Sequence, residues 1–294
     1  MTQILDGKAM SSQILARLKN EVNEHLQKGS RAPGLATILL GKDPASAVYV
    51  RNKRKRADDV GIKSFEYDLP IQTTQIELLT LIEDLNNRDD IDAILVQLPL
   101  PTHIDTSTVI CTVNPSKDVD GFHPENIGKL SLGHPRFIPC TPKGCMYLIQ
   151  ASKAKLLGAH AVILGRSNIV GKPMAYMMLN TDATVTICHR NTQNLRQQTK
   201  QADILITATG VPHLIGADDV KEGVVVIDVG INKLEDGTLV GDVDFDDVKD
   251  KAAAITPVPG GVGPMTISML LENTVAAYCN HLASRNKHEA YPSL

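Results

Sequence analysis

Tyr49 and Lys53 lie four residues apart in a segment that reads as helix, so a phenol and an amine share one face. An amine beside an aromatic ring, at the edge of a cleft, can hold a flat heterocycle by stacking while it moves a proton at the reacting centre. Downstream, Val96-Gln-Leu-Pro-Leu-Pro101 ends an apolar run on the amide of Gln97 and two prolines, as a buried strand does where it opens into a pocket. Lys117-Asp-Val-Asp-Gly-Phe122 adds an acidic loop with Asp118 and Asp120, and its Gly121 suits a sharp turn. Each piece also has an ordinary reading. Lys53 sits in the basic run Arg51-Asn-Lys-Arg-Lys-Arg56, and such runs are usually solvated helix faces. Tyr49 alone fits a core aromatic, Gln97 a strand-end residue, and the two aspartates a closed turn.

In the second half Ala161-Val-Ile-Leu164 reads as a buried strand running directly into Gly165-Arg-Ser-Asn-Ile-Val-Gly-Lys-Pro173. Strand, glycine loop and helix follow in phosphate-cradling order: Gly165 permits a tight turn, Gly171 a close backbone approach, and Pro173 suits a helix's first turn. The spacing matches neither the usual dinucleotide fingerprint nor a P-loop, so a dinucleotide, another phosphate ligand and a plain structural turn all remain open on this motif. The next strand, Ala183-Thr-Val-Thr-Ile-Cys188, ends in His189-Arg190, where an NAD-binding domain usually presents an acid to the ribose. A cation there suits the 2′-phosphate of NADP. Two further strands, Asp203–Thr207 and Val224–Asp228, end in small residues that let a cofactor lie across the carboxyl edge of a sheet. Pro257-Val-Pro-Gly-Gly-Val-Gly-Pro-Met-Thr266 combines rigidity with backbone access ahead of an apolar helix expected over about 265–283.

Positioning these segments takes a fold of ordinary soluble type. The chain has 294 residues, long enough for two domains, and 43% hydrophobic content is ample for their cores. A net charge of −3 and a pI near 6.3 speak against a nucleic-acid or anionic-membrane binder, and direct attention to a small-molecule partner. No apolar run approaches the roughly 20 residues that span a bilayer, and the N-terminus lacks a signal pattern, so neither membrane insertion nor export is expected. Five cysteines without a pairing pattern fit a reducing compartment, and a cytoplasmic location is expected. Cys140 and Cys145 lack a second pair and His103, His123 and His134 read as loop residues, so no metal site is expected.

Helix-length segments at 8–28, 45–59 and 74–87 alternate with short apolar runs at 35–40, 64–69 and 91–96. That alternation predicts an α/β fold of parallel β-α units with helices on both faces. Between about 111 and 141 the pattern dissolves into a Pro, Gly, Asn and Asp-rich stretch, expected to be a functional loop leading to the domain boundary. The expected division is an N-terminal α/β catalytic domain over 1–140 and a second domain over 141–269.

Five motifs in this order, Tyr49-x-x-x-Lys53, Val96–Pro101, Lys117–Phe122, Gly165–Pro173 and Pro257–Thr266, resemble the bifunctional methylenetetrahydrofolate dehydrogenase/methenyltetrahydrofolate cyclohydrolase family of the bacterial FolD type. The resemblance covers nearly the whole chain. It implies a folate-binding first domain, a Rossmann-like NADP domain, a cleft between them, a homodimer, and a C-terminal helix from about 270 that packs back on the first domain. It further implies oxidation of 5,10-methylenetetrahydrofolate by NADP+, then hydrolysis of the 5,10-methenyl cation to 10-formyltetrahydrofolate.

On this resemblance Lys53 serves both proton roles in hydrolysis, Gln97 hydrogen-bonds it, Tyr49 stacks on the folate rings and Asp120 hydrogen-bonds the pterin. Pro259 and Gly260 line the folate pocket, Gly165, Arg166, Ser167 and Ile231 contact NADP, and Arg190 pairs with its 2′-phosphate. A lysine ordinarily titrates near 10.4, so burial and the cations Arg51, Arg54 and Arg56 would have to lower it; reaching about 7 corresponds to roughly 4 kcal/mol. The alternatives are a monofunctional NADP-dependent dehydrogenase whose lysine no longer supports hydrolysis, and a nucleic-acid binder built on the basic run, against which the net acidity speaks.

Overall fold

The computed structural model describes residues 2–41 and 44–290, without the side chains of residues 44–49 and 285–290. The chain forms two compact units, one holding residues up to Ser12 with Gly128–Met269, the other Gln13–Ile127 with the chain from Leu270 onward. Two local causes set these limits apart from a division at residue 140. The extreme N-terminus joins the second-half unit because Gln3–Ile4 pairs in parallel with Ala254–Ile255. The Lys8 N–H also donates to the Gly260 carbonyl at 3.1 Å. Gly7 makes this possible, since a Cβ there would stand 1.8 Å from the Gly261 oxygen. Residues from Gly128 join the same unit, where the Asn180 side chain donates to the Leu130 carbonyl at 3.0 Å.

That unit is built on a six-stranded sheet in the order Gln3–Ile4, Ala254–Ile255, Val225–Asp228, Ile204–Thr207, His160–Leu164, Thr184–Cys188. Every pairing is parallel. The central strands are continuous apolar runs buried along almost their whole length, as parallel strands covered on both faces must be. From His160–Leu164 the chain steps first to one side, to Thr184–Cys188, and then to the other, to Ile204–Thr207. Strand order therefore reverses at the strand that leads into the Gly165 loop, and ligands of open α/β sheets bind beyond the carboxyl ends at such a point. Val162, Leu164, Leu205, Val226 and Ile255 are at the centre of its core.

The other unit carries a three-stranded parallel sheet with Gly34–Leu40 between Lys63–Leu69 and Ala93–Val96. All seven residues of the central strand are buried. The helix Gln75–Asn87 starts on a reciprocal cap between Thr74 and Glu77, and Leu78, Ile82 and Leu85 form its inward stripe. The stretch expected to be irregular contains the helices Thr106–Thr112 and Pro124–Ser131 within or beside it. Ile127 and Leu130 give the second too few apolar positions to reveal a period in the sequence.

Asp92, with no side-chain exposure, ties this unit together. Its carboxylate accepts two bonds from Arg31 at 2.6 and 2.7 Å and one from the Gly34 N–H at 2.8 Å, and it faces His281 Nδ1 at 2.8 Å. Asp92→Ala is expected to lower stability by about 3 kcal/mol, because it strands a partly buried guanidinium and a buried N–H. Urea denaturation reads this directly, and a loss below about 1 kcal/mol would contradict the assignment.

Candidate active site

The helix Pro44–Val60 carries Val50, Lys53, Ala57 and Val60 at three- and four-residue spacing, and all four are buried. Lys53 is 6% exposed, so one amine of the basic run is turned inside while Arg51, Lys55 and Arg56 face outward. Lys53 Nζ donates to Gln97 Oε1 at 3.2 Å. Gln97 stands one residue beyond the strand Ala93–Val96, where its own N–H continues the ladder to the Ile38 carbonyl at 2.9 Å. Its Nε2 donates to the Leu98 carbonyl at 2.7 Å, which leaves Oε1 to face the amine. The expected help from neighbouring cations is altered by their partners. Arg54 pairs with Glu66 and Asp68, and Arg56 with Asp59. Tyr49 occupies the same helix one turn before Lys53, and its side chain lies outside the described residues.

The Lys117–Phe122 loop is held by buried polar groups. The Ile94 N–H donates to the Lys117 carbonyl at 2.8 Å, extending the sheet edge. Lys117 Nζ caps the end of the Gln75–Asn87 helix through the carbonyls of Leu85 and Arg88, at 3.1 and 2.7 Å, and burial lowers its pKa. Asp118, 5% exposed, accepts from the N–H groups of Phe122 and His123 and from Asn126. Burial raises its pKa against those donors. Asp118 is thus the acid that shapes the loop, while Asp120 is half-buried at a cavity of about 20 Å³ walled by Val96, Leu98 and Phe122. That volume is the room of about one water molecule, too small for a ring system.

In the other unit a cavity of about 570 Å³ opens where strand order reverses. Three strand ends wall it: Gly165, Arg166 and Ser167; His189, Arg190 and Thr192; Ala208, Thr209 and Val211. Gly165 has φ +116°, and a Cβ there would lie 2.4 Å from the Ala208 oxygen. A Cβ on Gly171 would lie 2.1 Å from the Gly165 oxygen, so the loop folds back on itself only because both residues are glycine. Ser167 Oγ accepts from the N–H groups of Val170 and Gly171 at 3.1 and 3.4 Å, bracing the start of the helix Gly171–Leu179. Arg166 and Arg190 are exposed at the cavity, the charge an anionic ligand requires. The volume, the backbone cradle and the two guanidiniums fit a phosphorylated dinucleotide. Ile231, 60% exposed, follows another strand of this sheet and is not among the residues walling the cavity. Pro259 is exposed, and Gly260 is buried with φ +114°.

Two acids that the sequence reading passed over hold the cavity's strand-end loops. Asp242 is fully buried and accepts from the Thr209 N–H and hydroxyl at 2.6 and 2.9 Å, the Val211 N–H at 3.1 Å and Asn232 Nδ2 at 3.0 Å. Asp228 accepts from the Thr207 hydroxyl and the N–H groups of Gly230, Asp242 and Val243 at 2.9–3.1 Å. Burial pushes the Asp228 carboxyl up to about 6, with the neighbouring Asp242 adding to the rise and the N–H donors opposing it. An aspartate at a strand end or beside a glycine reads as a turn former in a sequence, and only burial reveals these two as anchors.

Two family models match successive parts of the chain. Residues 5–120 match the family model "Tetrahydrofolate dehydrogenase/cyclohydrolase, catalytic domain", and residues 139–282 match "Tetrahydrofolate dehydrogenase/cyclohydrolase, NAD(P)-binding domain". The bifunctional protein FolD of Acetivibrio thermocellus is 55% identical over 275 residues, covering 94% of this chain and 96% of the relative. That of Lactococcus lactis is 53% identical over 286 residues, covering 97% and 99%. Among solved structures, the bifunctional FolD methylenetetrahydrofolate dehydrogenase/cyclohydrolase of Campylobacter jejuni superposes with a TM-score of 0.94 at 53% identity, covering 95% of this chain and 99% of that one. The Trypanosoma brucei N5,N10-methylenetetrahydrofolate dehydrogenase-cyclohydrolase, complexed with NADP cofactor and an inhibitor, gives 0.92 at 39% identity, covering 96% and 98%.

The position of Asp228 has a consequence for stability. An unfolded aspartate titrates near 3.9, so between about pH 4 and pH 6 the folded chain holds the proton more tightly than the unfolded chain does. The contribution of this group is full below about pH 4 and is lost as pH rises to about 6, by up to roughly 3 kcal/mol. Denaturant unfolding of wild type and Asp228→Asn across pH 4–7 should show the wild type's stability falling relative to the variant over that window. A relative rise would contradict it.

Proposed function

Because the chain belongs to the tetrahydrofolate dehydrogenase/cyclohydrolase family, we propose that it oxidises 5,10-methylenetetrahydrofolate with NADP+ and hydrolyses the resulting 5,10-methenyl cation to 10-formyltetrahydrofolate. The observation that carries the hydrolytic half is the buried Lys53 amine held by Gln97, within the segment that matches the catalytic-domain model. NADP+ supplies the acceptor for the hydride leaving the one-carbon bridge. The protein's share of that step is orientation, through the glycine loop at Gly165 and the cations at Arg166 and Arg190.

Hydrolysis needs a proton removed from the attacking water and a proton returned to N5 as its bond to the one-carbon unit breaks; the water's other proton leaves to solvent as the formyl carbonyl forms on N10. Lys53 takes the first and delivers the second. The Lys53 amine is held away from bulk water, 6% exposed. Gln97 fixes where the amine points without adding a charge. By family resemblance Tyr49 stacks on the folate rings, Asp120 anchors the pterin, Pro259 and Gly260 contact folate, and Ile231 joins Gly165, Arg166 and Ser167 at the cofactor. Arg190 pairs with the 2′-phosphate, for which its exposed position at the cavity is the support. A homodimer and a cytoplasmic location belong to the same proposal. Among the described residues no helix is long and apolar enough to cross a membrane, and no cluster of side chains could hold a metal ion.

Lys53→Met is expected to reduce methenyltetrahydrofolate hydrolysis to the rate in enzyme-free buffer while NADP+ affinity, read by calorimetry, stays within about twofold. The cofactor cavity belongs to the other compact unit, which is why binding should persist. Full hydrolysis by this variant would remove Lys53 from the mechanism.

A further inference from the structure

The cation that would select NADP over NAD sits on a turn of four residues, His189–Thr192, and that turn is bolted from one side chain. The Thr192 N–H donates to the His189 carbonyl at 2.8 Å, closing the turn. The His189 N–H donates back to Thr192 Oγ1, also at 2.8 Å. The Asn191 N–H donates to His189 Nδ1 at 3.2 Å, so the bonds bracket Arg190 without engaging its side chain. The preceding residue, Cys188, is 1% exposed and paired in register with Leu164. The Cys188 carbonyl in turn accepts the Gly165 N–H at 2.9 Å, so the turn and the glycine loop hang from the same residue.

We infer that Thr192 is a positioning residue for cofactor selection: its hydroxyl fixes the turn so that Arg190 stands at the cavity ready for a 2′-phosphate. The inference rests on the proposed pairing of Arg190 with that phosphate. Its physical basis is that Arg190 is exposed, where charge attraction alone is screened and weak. Selection there depends on directed, paired N–H bonds from the guanidinium, which require the backbone beneath it to be held. With the bolt removed, the turn presents Arg190 correctly only part of the time, and apparent affinity falls by that fraction. NAD carries no 2′-phosphate and feels no such loss.

The test compares Thr192→Val, Thr192→Ser and Arg190→Ala by two readouts. One is calorimetric titration with NADP+, NAD+, adenosine 2′,5′-bisphosphate and 5′-AMP. The other is the ratio of kcat/KM for NADP+ to that for NAD+. Thr192→Val should weaken NADP+ and adenosine 2′,5′-bisphosphate roughly fivefold to tenfold relative to NAD+ and 5′-AMP, consistent with losing one or two net hydrogen bonds. Thr192→Ser, which keeps the hydroxyl, should restore most of the preference, and Arg190→Ala should abolish most of it. If Arg190→Ala leaves the preference intact, the reading of Arg190 fails and this inference with it. If Arg190→Ala removes the preference but Thr192→Val keeps it, or weakens all four ligands alike, the role of Thr192 alone is overturned.

Discussion

Parallel strand pairing is the constraint on which the rest depends. Within each unit's main sheet the strands all run one way, so their carboxyl ends, and the loops that follow them, collect along one edge. In the six-stranded sheet this gathers Gly165, Arg190 and Thr209 around one cavity, although they are far apart in sequence. In the three-stranded sheet it places Gln97 just past a strand end, beside a lysine from the helix Pro44–Val60.

Gathering loops at a sheet edge also buries polar groups, and each site here is shaped by how those groups are satisfied. An unpaired buried polar group costs about 1–3 kcal/mol, so such groups hold their neighbours firmly. Asp242 and Asp228 convert that cost into fixed strand-end loops beside the cavity, and Asp118 does the same for the Lys117–Phe122 loop. Lys117 spends its charge on helix carbonyls, whereas Lys53 faces a neutral amide in a buried setting.

Much of the fold was legible because parallel strands buried on both faces leave unbroken apolar runs. The strand read at 35–40 forms at Gly34–Leu40 and is buried throughout, whereas that read at 64–69 forms at Lys63–Leu69 as a half-exposed strand. The helix read from about 265 begins at Val262, with Pro264 in its first turn, as proline permits. Strands of two residues, such as Gln3–Ile4, have no readable pattern and exist only through their partner, Ala254–Ile255. Lys53 is the instructive site residue. Its neighbours make it look solvated, yet Val50, Ala57 and Val60 lie at helical spacing from it and mark its face as the buried one. The anchoring acids leave no such trace, because a lone aspartate at a strand end or in a loop has the same local signature whether it ends exposed or buried.

The central claim is that one chain performs both the oxidation and the hydrolysis. Purified protein given 5,10-methylenetetrahydrofolate and NADP+ should be followed by absorbance for NADPH and the methenyl intermediate together. The account predicts NADPH formation with the methenyl species consumed faster than in enzyme-free buffer. NADPH formation with methenyl decay only at the buffer rate would contradict the hydrolytic role given to Lys53, and no reduction with NADP+ or NAD+ would contradict the account as a whole.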